Sequence, residues 1–320
     1  EKEYFESEMY TKGKDIVMKG LKNGVFKEKE NGIVAELEKF KIPNKVVLRS
    51  DGTSVYMTQD LQCAEERYND FHFDKMMYVV ASEQNTHFKQ LFKIVELLKR
   101  PYAQNLYHLS YGLVHLPTGR MKSREGTVVD ADDIMDEISN LAKKEVLARY
   151  KNISAKEVKE RAEFIALGAI KFFMLKTDPS KDIVFNPKDS LSFEGETGPY
   201  VQYTHARACS ILRKAKSQYK LSVSSNINFD SLTLAEEHAL VRLLSEFPHV
   251  VMKAAKTSKP HHIANYCIAL AQAFNEFYHK CPVLSELEHQ MKSRLLLVDS
   301  VKHVLHNGLA LLGIKAPEKM

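Results

Sequence analysis

The chain has 320 residues, 44% of them hydrophobic and 27% charged, so it can bury more than one core and is neither a disordered nor a low-complexity protein. Lys and Arg number 46 against 41 Asp and Glu, a formal charge of +5 that permits a polyanionic partner without requiring one. The four cysteines (Cys63, Cys209, Cys267, Cys281) have no paired spacing, which argues against zinc and against a disulfide framework and suits a reducing cytosol. No apolar run is long enough to span a membrane, and no signal-peptide pattern opens the sequence. The first residue is Glu1, inside what reads as a helix, so an upstream portion is expected.

A charged helix is expected over about Lys2–Asn23, followed by a short strand at Gly32-Ile33-Val34 and an extended run at Lys45–Arg49 that the Asp51-Gly52 turn closes. Val55-Tyr56-Met57-Thr58 reads as a strand and Gln59–Tyr68 as a helix. Met76–Ala81 is a nearly unbroken apolar run, the pattern of a strand buried on both faces. Gln84–Leu98 carries Phe88, Leu91, Phe92, Val95 and Leu98 on one side of a helix, and Tyr107–Leu113 is another strand. The order βαβαβ predicts a parallel sheet with helices on its faces. Ligands of such sheets bind beyond the carboxyl ends of the strands, so Tyr56 with Asp60, and Ser82, Glu83 and Gln84 with His87, are expected to face one crevice. Asp60 and Ser82 equally suit helix capping, and His87 suits an ordinary helix histidine.

Residues 119–129 set Arg120, Lys122 and Arg124, the hydroxyls of Ser123 and Thr127, and two glycines between a short apolar strand and an acidic helix start. Glycines let backbone N–H groups approach a phosphate and cations neutralise it, so the loop suits ATP; the plainer alternative is a solvated turn. Beyond about residue 130 the signal is helical. Asp130, Asp132 and Asp133 complement the dipole at a helix start. Ser154-Ala155-Lys156-Glu157 is a capping box, and Thr233–Glu236 and Ser285–Glu288 repeat its pattern. They introduce helices reaching Phe173, Phe247 and about Leu312, and a further helix runs from about His261 to Tyr278. Residues from about 198 onward read as an all-α bundle, with Lys216–Asp230 as the best linker. At its head, Gly195 and Gly198 make a tight loop and Pro199 a first helical turn. The helix that follows carries Tyr200, Tyr203, His205, Arg207, Arg213 and Lys214. Such rings and cations suit unpaired bases and their phosphates, or else simple interface packing beside a wet face.

Together, LRSDGTSVYMTQDL (48–61), LSYGLVHLPTGRMKSREGTVVDADD (109–133), SLSFEGETGPYVQYTHAR (190–207) and the closing LGIKAPEKM (312–320) resemble arginyl-tRNA synthetase, in its archaeal-type branch, over nearly the whole chain. The resemblance implies a class I aminoacyl-tRNA synthetase: the second half of a Rossmann-like parallel-sheet catalytic domain, a connecting fold and an α-helical anticodon-binding bundle. The implied divisions are 1–50 (part of an insertion domain), 51–118 (the second half of the catalytic fold), 119–190 (signature loop and connecting helices) and 191–320 (anticodon-binding helices). Tyr56, Asp60 and Gln84 would line the arginine pocket, where a carboxylate meets the guanidinium fork. His87 would lie near the nucleotide. Met121 to Arg124 match the second class I signature, with Arg120, Lys122, Ser123 and Arg124 as the catalytic set and Met121 and Lys122 also touching ATP. Tyr200, Tyr203, Tyr278 and the chain end at Met320 would contact the anticodon loop, with the Ser192–Thr197 loop as a hinge. The implied substrates are L-arginine, ATP with Mg2+ on its phosphates, and tRNA(Arg); a cytoplasmic monomer is expected, without a protein-bound metal.

Two departures from the family pattern stand out. Arg120 occupies the place of the first signature lysine, and Ser123 stands where the second lysine is expected, with Lys122 shifted by one place. The first signature, a His-x-Gly-His helix start, does not occur, so these residues are expected to form a C-terminal portion that makes no arginyl-adenylate alone. A non-catalytic tRNA-binding module is the alternative. A cysteinyl-type enzyme is disfavoured, because its zinc needs cysteine spacings absent here.

Overall fold

A computed structural model describes residues 2–115, 130–150, 153–224, 227–284 and 288–320, without the side chains at 187 and 188. Arg120, Met121, Lys122, Ser123 and Arg124, and the expected cap at Ser285, therefore lie outside the described residues. The chain divides into two compact units, Glu1–Leu113 and Val114–Met320.

In the first unit, helix α1 (Glu6–Lys22) precedes an antiparallel meander of β1 (Lys27–Lys29), β2 (Gly32–Ala35) and β3 (Lys45–Arg49). At the turn after β3, the Asp51 carboxylate accepts from the Thr53 N–H at 2.8 Å and the Thr53 hydroxyl at 2.7 Å, and Gly52 takes a φ of +77°. The next residues depart from expectation. Val55–Thr58 is no strand: α2 spans Tyr56–Phe71, with Val55 as its extended N-cap residue. Thr58 decides this. Its hydroxyl accepts from the Val55 N–H at 3.0 Å and donates to the Val47 carbonyl at 2.5 Å, capping the helix while tying it to β3. A β-prone run is thus overridden by a capping hydroxyl and by burial of Met57 and Leu61. Gly13 on α1 permits close packing here, since a Cβ at that position would collide with the Thr58 carbonyl.

Strand β4 (Met76–Ala81) runs parallel to β5 (Leu106–Tyr111) in register Met76↔Leu106 to Ala81↔Tyr111. A short 3-10 turn, Ser82–Gln84, and α3 (Asn85–Leu97) join them, the expected βαβ crossover. The strand expected at Val55–Thr58 is absent from this sheet, which holds two strands among the described residues. Nor is β4 buried on both faces. Met76 and Tyr78 pack beneath α3 against Phe88 and Leu91, whereas Val79 is 62% exposed and Met77 lies beside it on the open face.

In the second unit, β6 (Val114–His115) pairs in parallel with β7 (Ile183–Val184). Between them lies a helical pair, α4 (Ala131–Arg149) and α5 (Ala155–Leu175), closed over Ile138, Ala142, Val158 and Ile165. The capping box at α5 forms as expected: Ser154 Oγ accepts from the Glu157 N–H, and Glu157 Oε2 accepts from the Ser154 N–H. After the single turn α6 (Pro187–Ser190) come four long helices, α7 (Gly198–Gln218), α8 (Ala235–Thr257), α9 (His261–Lys280) and α10 (Glu288–Leu311). Val201, Leu240, Phe274 and Leu305 sit in their shared core.

The cap of α8 is one residue away from its expected place. Glu237, not Glu236, accepts from a helix-start N–H, that of Leu234 at 2.9 Å, while Glu236 pairs with Lys280 at the surface. Glu237 is fully buried. Its other oxygen accepts from Arg294 Nε at 2.7 Å, and Arg294 Nη1 donates to the Pro282 carbonyl at 2.7 Å. A buried pair of this kind is satisfied but unforgiving, because removal of one partner strands the other charge in the core. Arg294→Met is therefore expected to cost about 3–5 kcal/mol in urea unfolding, and Arg294→Met with Glu237→Leu to recover most of it.

Candidate functional site

Two clusters collect the expected site residues, one in each unit. In the first unit, Tyr56 opens α2 and Asp60 lies one helical turn later on the same side. The Tyr56 ring is 75% exposed, free of the core that its neighbour Met57 enters. Gln84 ends the 3-10 turn beyond the tip of β4, exposed, and His87 follows in the first turn of α3. The structure brings Asp60 and His87 together: the His87 Nε2–H donates to Asp60 Oδ2 at 2.6 Å. The imidazole also packs edge-on against Phe88. Asp60 thus spends one carboxylate oxygen on His87, and the other has no bond among the described residues. His87, which the resemblance places near the nucleotide, is the hydrogen-bond partner of the Asp60 carboxylate. Asp60 is part-exposed, so a cation reaching it meets a half-solvated, oriented charge.

The second cluster lines a cavity of about 760 Å³ whose walls include Lys144, Arg149, Phe193, Tyr203, Arg207 and His279. Thr197 Oγ1 caps α7 by accepting from the Tyr200 N–H at 3.2 Å, and Pro199 occupies the first turn. From that start α7 projects Tyr200, Tyr203 and Arg207 toward the cavity at one-turn intervals. The Arg207 guanidinium lies 4.9 Å from the Tyr203 ring centroid and 5.3 Å from that of Tyr278 on α9. Tyr278 is 41% exposed. Tyr200 behaves differently. Its ring packs against the bundle core and its hydroxyl accepts from the Asn275 amide at 2.8 Å. Across the cavity, Arg149 stacks on Phe193 at 3.9 Å. Lys144, Arg149, Phe193 and Asn275 are residues the sequence did not single out. They come from other helices and loops, and only Arg149, a cation in the last turn of a helix, had a local signal.

Met320 is held, not free. A series of side chains captures the carbonyls of the chain end. Lys171 donates to Gly313 at 2.7 Å, Gln202 to Lys315 at 2.8 Å, His205 Nδ1 to Pro317 at 2.9 Å and Arg213 to Glu318 at 3.0 Å. Tyr150 donates to Met320 itself, whose side chain packs on the α4–α5 core. A smaller cavity of about 480 Å³ beside this end gathers Arg161, Arg207 and Arg213 with Tyr203 and Tyr278. Cationic and aromatic groups around a rigid wall can hold an unpaired nucleic-acid strand by stacking and charge. Among the described residues no group of three or more His, Cys, Asp and Glu side chains is placed to bind a metal. No helix among them is long and apolar enough to cross a membrane.

A parallel βαβ unit with polar residues beyond a strand tip, followed by a helical bundle with a basic aromatic wall, fits the class I aminoacyl-tRNA synthetase architecture that the family matches show. Residues 3–187 match the family "tRNA synthetases class I (R), catalytic domain", and residues 201–320 match the "DALR anticodon binding domain". The chain belongs to the arginyl-tRNA synthetase family. It is 45% identical over 325 residues to an arginine–tRNA ligase of Treponema denticola, a match covering 100% of this chain and 55% of that protein. An arginine–tRNA ligase of Parabacteroides distasonis is 41% identical, covering 100% of this chain and 54% of that one. The chain therefore spans about half the length of the curated relatives it matches. Among solved structures, the Thermus thermophilus arginyl-tRNA synthetase superposes with a TM-score of 0.83 at 30% identity, covering 96% of this chain and 58% of that one. The Plasmodium falciparum arginyl-tRNA synthetase gives 0.81 at 27%, covering 100% and 54%.

Burial depresses the His205 imidazole below its ordinary range, against the opposing pull of its bond to Pro317. The unfolded chain consequently protonates this residue first as the medium is acidified. The stability it contributes is complete above the ordinary imidazole range and is lost as pH falls through that range to the depressed value. Thermal unfolding is expected to show a smaller decline between about pH 7.5 and pH 5 in His205→Gln than in the wild type.

Proposed function

We propose that the protein serves as an arginine–tRNA ligase, joining L-arginine to ATP and passing the arginyl group to the 3′ end of tRNA(Arg). The observation that carries the reading is Asp60: a carboxylate beyond the sheet, oriented by His87 through one oxygen, with Tyr56 one turn before it on the same helix. A guanidinium is a planar fork of donors that suits a carboxylate with an open oxygen and a neighbouring phenol. Gln84 supplies an amide from the tip of β4. Arg120, Met121, Lys122, Ser123 and Arg124 take the triphosphate of ATP, carried as its Mg2+ complex, and offset charge on the departing pyrophosphate. Tyr203 and Tyr278 stack on bases of the anticodon loop while Arg207, Arg149 and Lys144 meet its phosphates. Tyr200 and Met320 serve as the firm backing of that surface. The protein acts in the cytoplasm as a monomer.

Equilibrium binding tests both halves of the reading. L-Arginine is expected to bind in preference to L-citrulline, which has its shape without its charge. Asp60→Asn is expected to weaken arginine by roughly 1.5–3 kcal/mol, the range for a hydrogen bond to a charged group. A tRNA(Arg) transcript is expected to bind less tightly as salt rises. Tyr203→Ala should weaken that binding by roughly 1–3 kcal/mol. Equal affinity for arginine and citrulline would remove the amino-acid assignment. Salt-independent tRNA affinity would remove the nucleic-acid assignment. Arginine- and ATP-dependent charging of tRNA(Arg) by the enzyme that carries this chain separates a ligase from a tRNA-binding module.

A further inference from the structure

Asn275 projects from α9 into the centre of the basic aromatic cluster. Its amide oxygen accepts from Arg207 Nη1 at 2.5 Å. Its amide nitrogen donates to the Tyr200 hydroxyl at 2.8 Å, with Thr204 Oγ1 at 3.4 Å as a second acceptor. The orientation of the amide is not arbitrary. A guanidinium only donates, so the oxygen must face Arg207, and the nitrogen must then face the hydroxyls. Thr204 closes the arrangement by giving its own proton to the Tyr200 carbonyl at 2.9 Å.

Arg207 has no carboxylate partner among the described residues. Two tyrosine rings flank it, one neutral amide holds it, and among the described residues four of its five N–H donors have no partner. An aspartate at position 275 would reach the same guanidinium but would cancel its charge. An amide fixes the direction and leaves the charge available. The price of holding a flexible arginine still is then met in the free protein, before any ligand arrives.

We propose that Asn275 is a positioning residue for nucleic acid. It clamps Arg207 against Tyr203 and Tyr278 with its charge unneutralised, so that the guanidinium meets a backbone phosphate of an unpaired RNA strand while the tyrosines receive bases. This rests on the reading of the cavity wall as the tRNA-facing surface and names the residue that organises it.

The test is binding of a tRNA(Arg) transcript across a salt series. The proteins are the wild type, Arg207→Ala, Asn275→Ala, Asn275→Asp and the double variant Arg207→Ala with Asn275→Ala. Asn275→Ala is expected to bind roughly tenfold more weakly, the scale of one hydrogen bond to a charged group. In the Arg207→Ala background the same change is expected to have no further effect, since its target is gone. Asn275→Asp forms an ion pair with Arg207, so its melting temperature is expected to match or exceed that of the wild type. Its affinity should nevertheless fall, and its log–log salt slope should become shallower by roughly 0.7, one phosphate contact on a single strand. A merely structural asparagine would leave binding intact in the well-folded aspartate variant. Wild-type affinity and slope in Asn275→Asp, or additive losses in the double variant, overturn the proposal. Wild-type affinity in Arg207→Ala overturns the underlying reading of the surface as well.

Discussion

The contact between α7 and α5 at Gly198 and Gly168 sets the position of almost everything that matters in the second unit. A Cβ on Gly198 would strike the Gly168 carbonyl, and one on Gly168 would strike the Gln202 side chain. The two helices therefore touch backbone to backbone at the first turn of α7, which no larger residue allows. Once that end is seated, helical geometry assigns the rest. One side of α7 carries Val201, Ala208 and Ile211 into the core. Another carries Gln202 and His205 to the carbonyls of the chain end. A third carries Tyr203 and Arg207 to the cavity. A single helix thus couples the packing of the bundle to the presentation of its cationic and aromatic groups.

The two candidate sites solve one physical problem in opposite ways. A charged group that is to meet a ligand must be held in place without being neutralised. In the first unit a carboxylate is held by an imidazole through one of its two oxygens. In the second a guanidinium is held by an amide through one of its five donors. Both charged groups stay part-exposed, so neither bears the full desolvation penalty that Glu237 and Arg294 incur and settle between themselves in the core. The core pair is closed off from solvent, whereas the other two charged groups keep contact with it.

Local patterns in the chain foretold much of this arrangement. The long helices of the second unit follow from apolar spacing, and the start of α5 from the reciprocal bonds of Ser154 and Glu157, because those signals lie within one or two turns of chain. The crossover β4–α3–β5 followed from an apolar run, an amphipathic stretch and a second run. Val55–Thr58 misled because strand preference at four residues is a weak signal. A hydroxyl bond from Thr58 back to Val47 outweighs it, and that partner comes from another element. Glu237 in place of Glu236 has the same cause. Both can cap α8, and the buried Arg294, 57 positions later, selects one of them.

What the sequence by itself determined is the family, the kinds of side chain available to the chemistry, and the helices that carry them, since each depends on residues close together in the chain. Tertiary structure alone decided the pairings: His87 with Asp60, Asn275 with Arg207, and Met320 with Tyr150. Each joins residues 27, 68 or 170 positions apart, and no local periodicity reports a contact of that span. The physical reason is that partners are chosen by packing. Backbone approach at a few small residues fixes how helices meet, and only then do a carboxylate, an amide or a chain end find the group within hydrogen-bonding reach.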